Sequence, residues 1–219
     1  QGEAIEHVFA DFERIVPAGM THWQHPRFFA YFPANAAPAS MLAEQLANAI
    51  AAQAMLWQTS PAATEMEEVV VDWLRQALGL PEGLRGTIHD TATTATLAAV
   101  LTMREAALGF EGLAKGLSGA PRLTLYCSSE THSSVDKAAR LAGIGQENLV
   151  KVETEAAHAM RADALAAAIE RDRAAGARPI GVILCAGGTS IGAFDRIGES
   201  VRVAKAAGLP VHLDAAWAG

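Results

Sequence analysis

Asp214 follows a short apolar run that begins after the turn sequence Gly208-Leu209-Pro210. The run predicts a buried strand, and Asp214 stands where this strand gives way to small residues. Ligands of open α/β sheets gather at the carboxyl ends of the strands, and a buried carboxylate there needs a cation or a hydrogen-bond donor. Asp214 is therefore a candidate partner for a cationic ligand group, although an Asp at a strand end also commonly caps a helix or forms a turn.

The segment Thr91-Ala92-Thr93-Thr94 lies where a predicted strand gives way to a predicted helix. The first N–H groups of a helix have no partners within it and form the positive end of its dipole, so they can hold a phosphate. The hydroxyl side chains would add further donors. The alternative is that Asp90 or Thr91 only caps the helix, as such residues usually do.

Two more polar segments follow predicted strands. His132 stands between the strand that ends near Cys127 and the next helix, where a His is commonly a surface or capping residue. Gly187-Gly188-Thr189-Ser190 follows the apolar strand 182–185. Its glycines allow either a close backbone approach to a ligand or a plain tight turn. Neither segment identifies a ligand by itself.

The elements that must position these residues alternate between strands and helices from residue 87 onward. Strands are predicted over 87–89, 122–127, 149–152, 180–185 and 210–214, with helices over 92–108, 133–141, 162–175 and 197–207. The earlier part of the chain predicts helices over 3–16, 41–57 and 61–78, and an ordered aromatic loop over 22–38. We therefore predict an α/β fold with a mostly parallel sheet, organised as an N-terminal helical segment, 1–80, and a large domain, 81–219.

The composition excludes several functional classes. The 219-residue chain has a formal net charge of −7, which argues against a nucleic-acid partner because nucleic-acid-binding surfaces carry a basic excess. There is no apolar run of membrane-span length and no leader-like start, so we expect a cytoplasmic protein without a membrane partner. Cys127 and Cys185 are expected to be buried free thiols, and the spacing of the His residues predicts no metal site.

Together with His25-Pro26-Arg27-Phe28-Phe29-Ala30-Tyr31-Phe32-Pro33, the segments at 91–93, 131–134, 187–190 and 211–219 resemble the group II pyridoxal 5'-phosphate (PLP) decarboxylases. The aromatic L-amino-acid decarboxylase branch is the most similar. The resemblance covers nearly the whole chain, in order and with similar spacing. It implies a fold-type I PLP-dependent transferase-like large domain and a homodimer with its active site near the subunit interface.

The resemblance also implies roles for particular residues. It implies that Asp214 pairs with the pyridine nitrogen of PLP and that His132 stacks on the ring, touches the substrate carboxylate and acts as a proton donor. The implied cofactor-binding set is Thr91, Ala92, Thr93, His132, Thr189, Asp214 and Ala216, and the implied substrate-binding set is Tyr31, Phe32, Pro33, Ala34 and His132. The implied catalytic pair is His132 and Asp214.

The chain departs from the pattern at several positions. Asp90 and Gly188 stand where relatives often have Gly and a hydroxyl residue, and Ala34 stands where relatives can have Thr. The family also binds PLP through a lysine a short way beyond the Asp strand. None of Lys115, Lys137, Lys151 and Lys205 has that context, so we interpret the sequence as a piece that ends before this lysine.

The implied reaction is PLP-dependent decarboxylation of an aromatic L-amino acid to the amine and carbon dioxide. Three alternatives remain open: a non-aromatic amino acid as substrate, oxidative formation of an aromatic aldehyde, and a non-catalytic PLP-binding relative. An unrelated α/β protein that binds another phosphate ligand would leave the aromatic loop unexplained.

Overall fold

The computed structural model describes residues 2–32 and 36–219. The chain divides into two compact units, one that ends at Met66 and one that begins at Glu67. The predicted division into functional segments, 1–80 and 81–219, stays a prediction. Within the described residues, no helix is long and apolar enough to cross a membrane.

The first unit is helical. It contains α1 (Ile5–Ile15), a 3-10 turn (Pro17–Gly19), α2 (Pro38–Ala49) and the start of α3 (Pro61–Ala77). Helix α2 is shorter than the predicted 41–57, because Ala51 takes a left-handed conformation with φ of 49° just after the helix ends. None of the residues described up to Met66 is buried, and the apolar side chains of α1 and α2 are largely exposed.

The second unit is a parallel sheet covered by helices on both faces. Its strands are β1 (Leu123–Ser128), β2 (Leu149–Val152), β3 (Arg178–Cys185) and β4 (Val211–Asp214), in the spatial order β2-β1-β3-β4. Its helices after α3 are α4 (Ala92–Ala107), α5 (Gly112–Lys115), α6 (Ser133–Leu141), α7 (Ala162–Ala174) and α8 (Ile197–Ala206). The predicted α/β fold with a parallel sheet is confirmed.

The strands bury apolar side chains on both faces, as parallel strands between helix layers must. On one face, Leu125 and Ile183 pack with α4 and α6 in one apolar core. On the other face, Val182 and Leu184 pack with α7 and α8 in a second core. Cys127 belongs to the first core, and Cys127 and Cys185 are both buried and free, as predicted.

The connections change direction next to β1. The chain passes from β1 through α6 to β2 on one side, then crosses through α7 to β3 on the other side of β1. The carboxyl ends of β1 and β3 therefore lie side by side at the point where the strand order reverses. Open α/β sheets bind their ligands in the crevice at such a point.

One predicted strand is wrong. Residues 87–89 form no strand in the structure. Instead, the Glu67 carboxylate accepts hydrogen bonds from the backbone N–H of Ile88 and the hydroxyl of Thr87, each at 2.7 Å. A carboxylate on α3 thus takes the place of a neighbouring strand, and the hydrogen bonds that it accepts from Ile88 and Thr87 lower the pKa of Glu67.

Candidate active site

Three loops meet at the carboxyl edge of the sheet, and each follows one of the strands β1, β3 and β4. A Cβ added to Gly188, after β3, would lie 3.6 Å from the carbonyl oxygen of Glu130, after β1. A Cβ added to Gly187 would lie 2.7 Å from the Trp217 ring, after β4. The glycines therefore let these loops approach one another closely.

Asp214 ends β4 and is partly buried. One carboxylate oxygen accepts the backbone N–H of Ala216 at 3.2 Å, which is the turn that the sequence offered as an alternative. The backbone carbonyl of Asp214 accepts the N–H of Ala186 at 2.8 Å, so the residue is fixed to the end of β3. The turn engages one oxygen and is compatible with a ligand at the carboxylate.

Asp214 also influences its neighbours electrostatically. Burial, together with the carboxylates of Asp214 and Asp195, raises the pKa of the Cys185 thiol to about 11. Cys185 is the residue paired with Asp214 in the β3–β4 register. A negative potential therefore exists at this edge of the sheet, and a cationic ligand group would be stabilised by it.

The start of α4 is capped as the sequence suggested. The hydroxyl of Thr91 accepts the backbone N–H of Thr94 at 3.4 Å, and the Thr94 hydroxyl accepts the N–H of Thr91 at the same distance. The Asp90 carboxylate accepts a short hydrogen bond from the Thr94 hydroxyl, which lowers the pKa of Asp90. The capping interpretation is confirmed, and it leaves the N–H groups of the first turn directed out of the helix.

Helix α4 runs antiparallel to the strands. At its end, the Ala107 carbonyl accepts a 3.0 Å hydrogen bond from Arg178, where β3 begins, and Met103 packs against Gly181 within β3. A 16-residue helix is about 24 Å long, nearly the length of the eight-residue strand β3. The N-terminus of α4 therefore points to the same edge as the carboxyl end of β3.

His132 is the N-cap residue of α6 and is half-buried. Its Nδ1 accepts the backbone N–H of Ser134 at 3.2 Å. In the neutral imidazole the proton must then be on Nε2, so Nε2 is the nitrogen that can donate to a ligand. The capping role and a ligand-binding role use different nitrogens of the same ring.

Thr189 lies at the exposed tip of the loop 186–194. Sequence reasoning missed the residue that closes this loop, Asp195. Its two carboxylate oxygens accept the backbone N–H groups of Met160 at 2.8 Å and Cys185 at 2.7 Å. No local pattern could have indicated these bonds, because the partners lie 35 and 10 residues away.

The aromatic loop belongs to the first unit. Trp23 stacks on Phe28 at 5.3 Å and on Tyr31 at 5.4 Å between ring centroids. Tyr31 has a φ of 58° and is 78% exposed, and Phe32 is 53% exposed. The other two predicted substrate-binding residues, Pro33 and Ala34, lie outside the described residues. The proposed roles of all four remain predictions.

Comparison with known proteins decides the family. Residues 1–219 match the family model described as "Pyridoxal-dependent decarboxylase conserved domain". The chain belongs to this family. The decarboxylase domain is 39% identical to aromatic-L-amino-acid decarboxylase of Bos taurus, over 99% of this chain and 46% of that protein. It is 35% identical to phenylacetaldehyde synthase of Arabidopsis thaliana, over 99% of this chain and 45% of that protein.

The solved structures agree with this assignment. Oryza sativa TDC, solved with PLP and tryptamine, has a TM-score of 0.92 and 35% identity, and the match covers all of this chain and 46% of that one. The decarboxylase domain thus has the fold-type I architecture predicted from its sequence. The chain spans about half the length of the relatives it matches. The cofactor of the family is PLP.

The donors and acceptors at the edge of the sheet fit this cofactor. A phosphate needs N–H and hydroxyl donors, which the start of α4 presents at Thr91, Ala92 and Thr93. A pyridine nitrogen that is protonated needs a carboxylate, which Asp214 supplies at the end of β4. The described residues contain no cluster of three or more His, Cys, Asp or Glu arranged for a metal ion.

Proposed function

We propose that the full-length protein containing this domain decarboxylates an aromatic L-amino acid to the corresponding amine, with PLP as its cofactor. The observation that carries the proposal is the switch point of the sheet. It gathers the loop that contains His132, the loop that contains Thr189 and the carboxylate of Asp214 at one edge. Family membership and the names of the relatives support the reaction class.

In this proposal, Asp214 controls the electronic state of the cofactor ring. Bound PLP supplies an electron sink for the pair released as carbon dioxide leaves. The Asp214 carboxylate favours the protonated ring nitrogen, because an opposite charge nearby stabilises the cation. Ala216 would pack on the ring, where a small side chain leaves room, and Thr189 would contribute to the same site.

In this proposal, His132 binds the substrate carboxylate and supplies the proton that replaces carbon dioxide. Its Nε2 would donate to the substrate carboxylate while Nδ1 remains bound to the N–H of Ser134. The same imidazole would return a proton to the carbon that has lost carbon dioxide. Thr91, Ala92 and Thr93 would hold the phosphate through backbone N–H and hydroxyl groups. The lysine that binds PLP covalently is expected in the rest of the full-length protein.

The aromatic loop and the first unit complete the proposal. Tyr31, Phe32, Pro33 and Ala34 would form one wall of the substrate pocket, as the resemblance implies. The exposed apolar side chains of α1 and α2 support a homodimer, because large apolar surfaces usually mark contact sites. The resemblance to the family implies that the active site lies near the subunit interface. Sedimentation of the full-length protein tests the dimer. A cytoplasmic location also remains part of the proposal, and cell fractionation tests it.

One observation supports an aldehyde as a second candidate product. Phenylacetaldehyde synthase is among the relatives with 35% identity, so an oxidative aldehyde-forming activity is the second candidate. An assay of the full-length protein with aromatic amino acids, in which amine and aldehyde are quantified separately, distinguishes the two. Turnover of only a non-aromatic amino acid would contradict the proposed substrate class.

The cofactor is tested first. The full-length protein purified with PLP is expected to show a visible absorbance band that borohydride bleaches, because borohydride reduces the bond between PLP and a lysine. Absence of this band would exclude a lysine-bound cofactor. A band without turnover of any amino acid would indicate the non-catalytic alternative.

A further inference from the structure

Asp195 is a buried carboxylate that lies between β3 and α8. Only 7% of the residue is exposed, yet both oxygens have backbone partners, the N–H groups of Met160 and Cys185. Burial raises the pKa of the Asp195 carboxyl, and the two N–H groups offset part of that effect. Both oxygens accept an N–H donor, and such hydrogen bonds favour the ionised form of the carboxyl.

Asp195 closes the base of the loop 186–194. Its own N–H donates to the Cys185 carbonyl at 2.9 Å, while its side chain accepts the Cys185 N–H. Above this base, Ala186 pairs with Phe194 in an antiparallel bridge. The loop carries Thr189 at its tip, and the N–H of Ala186 also holds the carbonyl of Asp214. A change at Asp195 therefore reaches Asp214 through two hydrogen bonds, those donated by the N–H groups of Cys185 and Ala186, and reaches Thr189 through the base of its loop.

The second partner of Asp195 belongs to a hairpin between β2 and α7. Thr154 and Met160 form an antiparallel bridge at its base, and the Glu155 N–H donates to the Ala159 carbonyl at 2.9 Å. At the tip, Nδ1 of His158 lies 3.8 Å from a carboxylate oxygen of Glu130, in the loop after β1 that leads to His132. Asp195 thus joins the β3 loop to a hairpin that contacts the β1 loop.

We propose that Asp195 is a positioning residue that holds the loop of Thr189 and the end of β4 at Asp214 in the arrangement required for decarboxylation. The inference rests on the proposed function. Asp195 acts through Cys185 and Met160 and does not touch the reacting groups. Its substitution by Asn keeps the size of the side chain but places an amide donor against one of the two backbone N–H groups.

The test compares Asp195→Asn with Asp172→Asn in the full-length protein loaded with PLP. Asp172 is a matched control because it is 6% exposed and accepts a buried hydrogen bond from the Tyr126 hydroxyl at 2.9 Å. Its backbone carbonyl binds the N–H of Ala177, just before β3 begins, so it lies at the opposite end of the sheet. For each variant we would measure the thermal midpoint, the PLP dissociation constant and kcat. We would also measure the pH midpoint of the visible absorbance band of bound PLP.

Both variants are expected to lower the thermal midpoint. Only Asp195→Asn is expected to lower kcat by tenfold or more and to shift the pH midpoint of the band, whereas Asp172→Asn should leave both within twofold of wild type. If the two variants change only stability, the positioning role is wrong and the proposed function stands. A wild-type protein without the band would overturn the proposed function and the positioning role together.

A second measurement applies if Asp195→Asn does not fold. Hydrogen exchange is followed in the wild-type full-length protein before PLP is added. The amides of Cys185 and Met160 are expected to be protected, because their carboxylate partner is in place without the cofactor. Exchange at these amides as fast as at the exposed loop residues 189–192 would contradict the proposal.

Discussion

At the scale of single residues, Asp214 has the most specific proposed role. Asp214→Asn keeps the turn to Ala216, since an amide oxygen can accept the same N–H, but removes the charge that favours a protonated ring nitrogen. We expect the variant to retain bound PLP and to lose roughly 100-fold in kcat, the order seen when one preorganised electrostatic group is removed. Absorbance measures the cofactor, and amine formation measures the rate.

Asp163→Asn serves as the control, because it removes an exposed carboxylate from α7 that pairs with Arg161 at 2.6 Å. Its rate should match that of the wild type. If Asp214→Asn retained most of its activity with PLP bound, the assignment of Asp214 to the ring nitrogen would be wrong.

Asp90 places a negative charge just before the start of α4. Its carboxylate is fully exposed and is bound to the Thr94 hydroxyl, beside the N–H groups proposed to hold the phosphate. We expect Asp90→Asn to tighten PLP binding by about two- to fivefold, because the substitution removes a solvent-screened repulsion between two negative charges. The side-chain oxygen of Asn can accept the same hydrogen bond from the Thr94 hydroxyl, so helix stability should change little.

A ligand without the phosphate provides the control for this prediction. Pyridoxal, which lacks the phosphate, should bind Asp90→Asn and wild type equally well. Glu111→Gln, which removes a carboxylate beyond the other end of α4, should leave PLP affinity unchanged. Equal PLP affinity of Asp90→Asn and wild type would place the phosphate away from the start of α4.

Residue-level prediction from sequence succeeded where position alone determines the environment. Asp214, His132 and Thr91 were selected because they follow or precede predicted elements, and the structure places them at strand or helix ends. Asp195 and Glu67 could not be selected in this way. Their partners are backbone N–H groups that only the folded chain brings within reach.

At the scale of elements, Gly187 is the point at which the loops after β3 and β4 touch. It has a φ of 81°, and a Cβ would overlap the Trp217 ring and the Ala218 side chain. Gly192, in the same loop, has a φ of 68° and open space around it. Gly187→Ala and Gly192→Ala should therefore share a backbone cost of about 1–2 kcal/mol for a left-handed L-residue.

Only Gly187→Ala is expected to weaken PLP binding as well, because it must displace the segment that follows Asp214. Chemical denaturation measures the shared cost, and PLP titration measures the difference between the variants. If both variants bound PLP with wild-type affinity, the contact between these loops would not contribute to the cofactor site.

Hydrophobic periodicity predicted most elements of the second unit to within two residues. The reason is that its strands and helices bury continuous apolar faces, which the sequence displays directly. The errors occurred where a polar contact or a local turn decides the structure. The segment 87–89 binds the Glu67 carboxylate, α2 ends at a left-handed Ala51, and the four-residue helix α5 is too short for a periodic signal.

At the scale of the whole molecule, the titration of His212 is expected to make the stability of the fold depend on pH. His212 lies on β4, two residues before Asp214, and burial lowers its pKa although the Asp214 carboxylate opposes this effect. A group with a lowered pKa binds protons more readily when the chain is unfolded. His212 therefore stabilises the fold above its unfolded pKa, near 6.5, and this contribution is lost as the pH falls through the lower pKa of the folded state.

We therefore expect the thermal midpoint of the full-length protein to fall between about pH 7.5 and pH 5.5, and to fall less in His212→Gln, which has no titrating group. His7→Gln is the control, because His7 is exposed on α1 and its replacement should leave the wild-type pH dependence intact. The same protonation places a cation near Asp214, where it competes for the carboxylate that the proposed mechanism assigns to the ring nitrogen. If His212→Gln and wild type lost the same stability over this pH range, the titration of His212 would not be coupled to folding, and acid sensitivity would have to come from other groups.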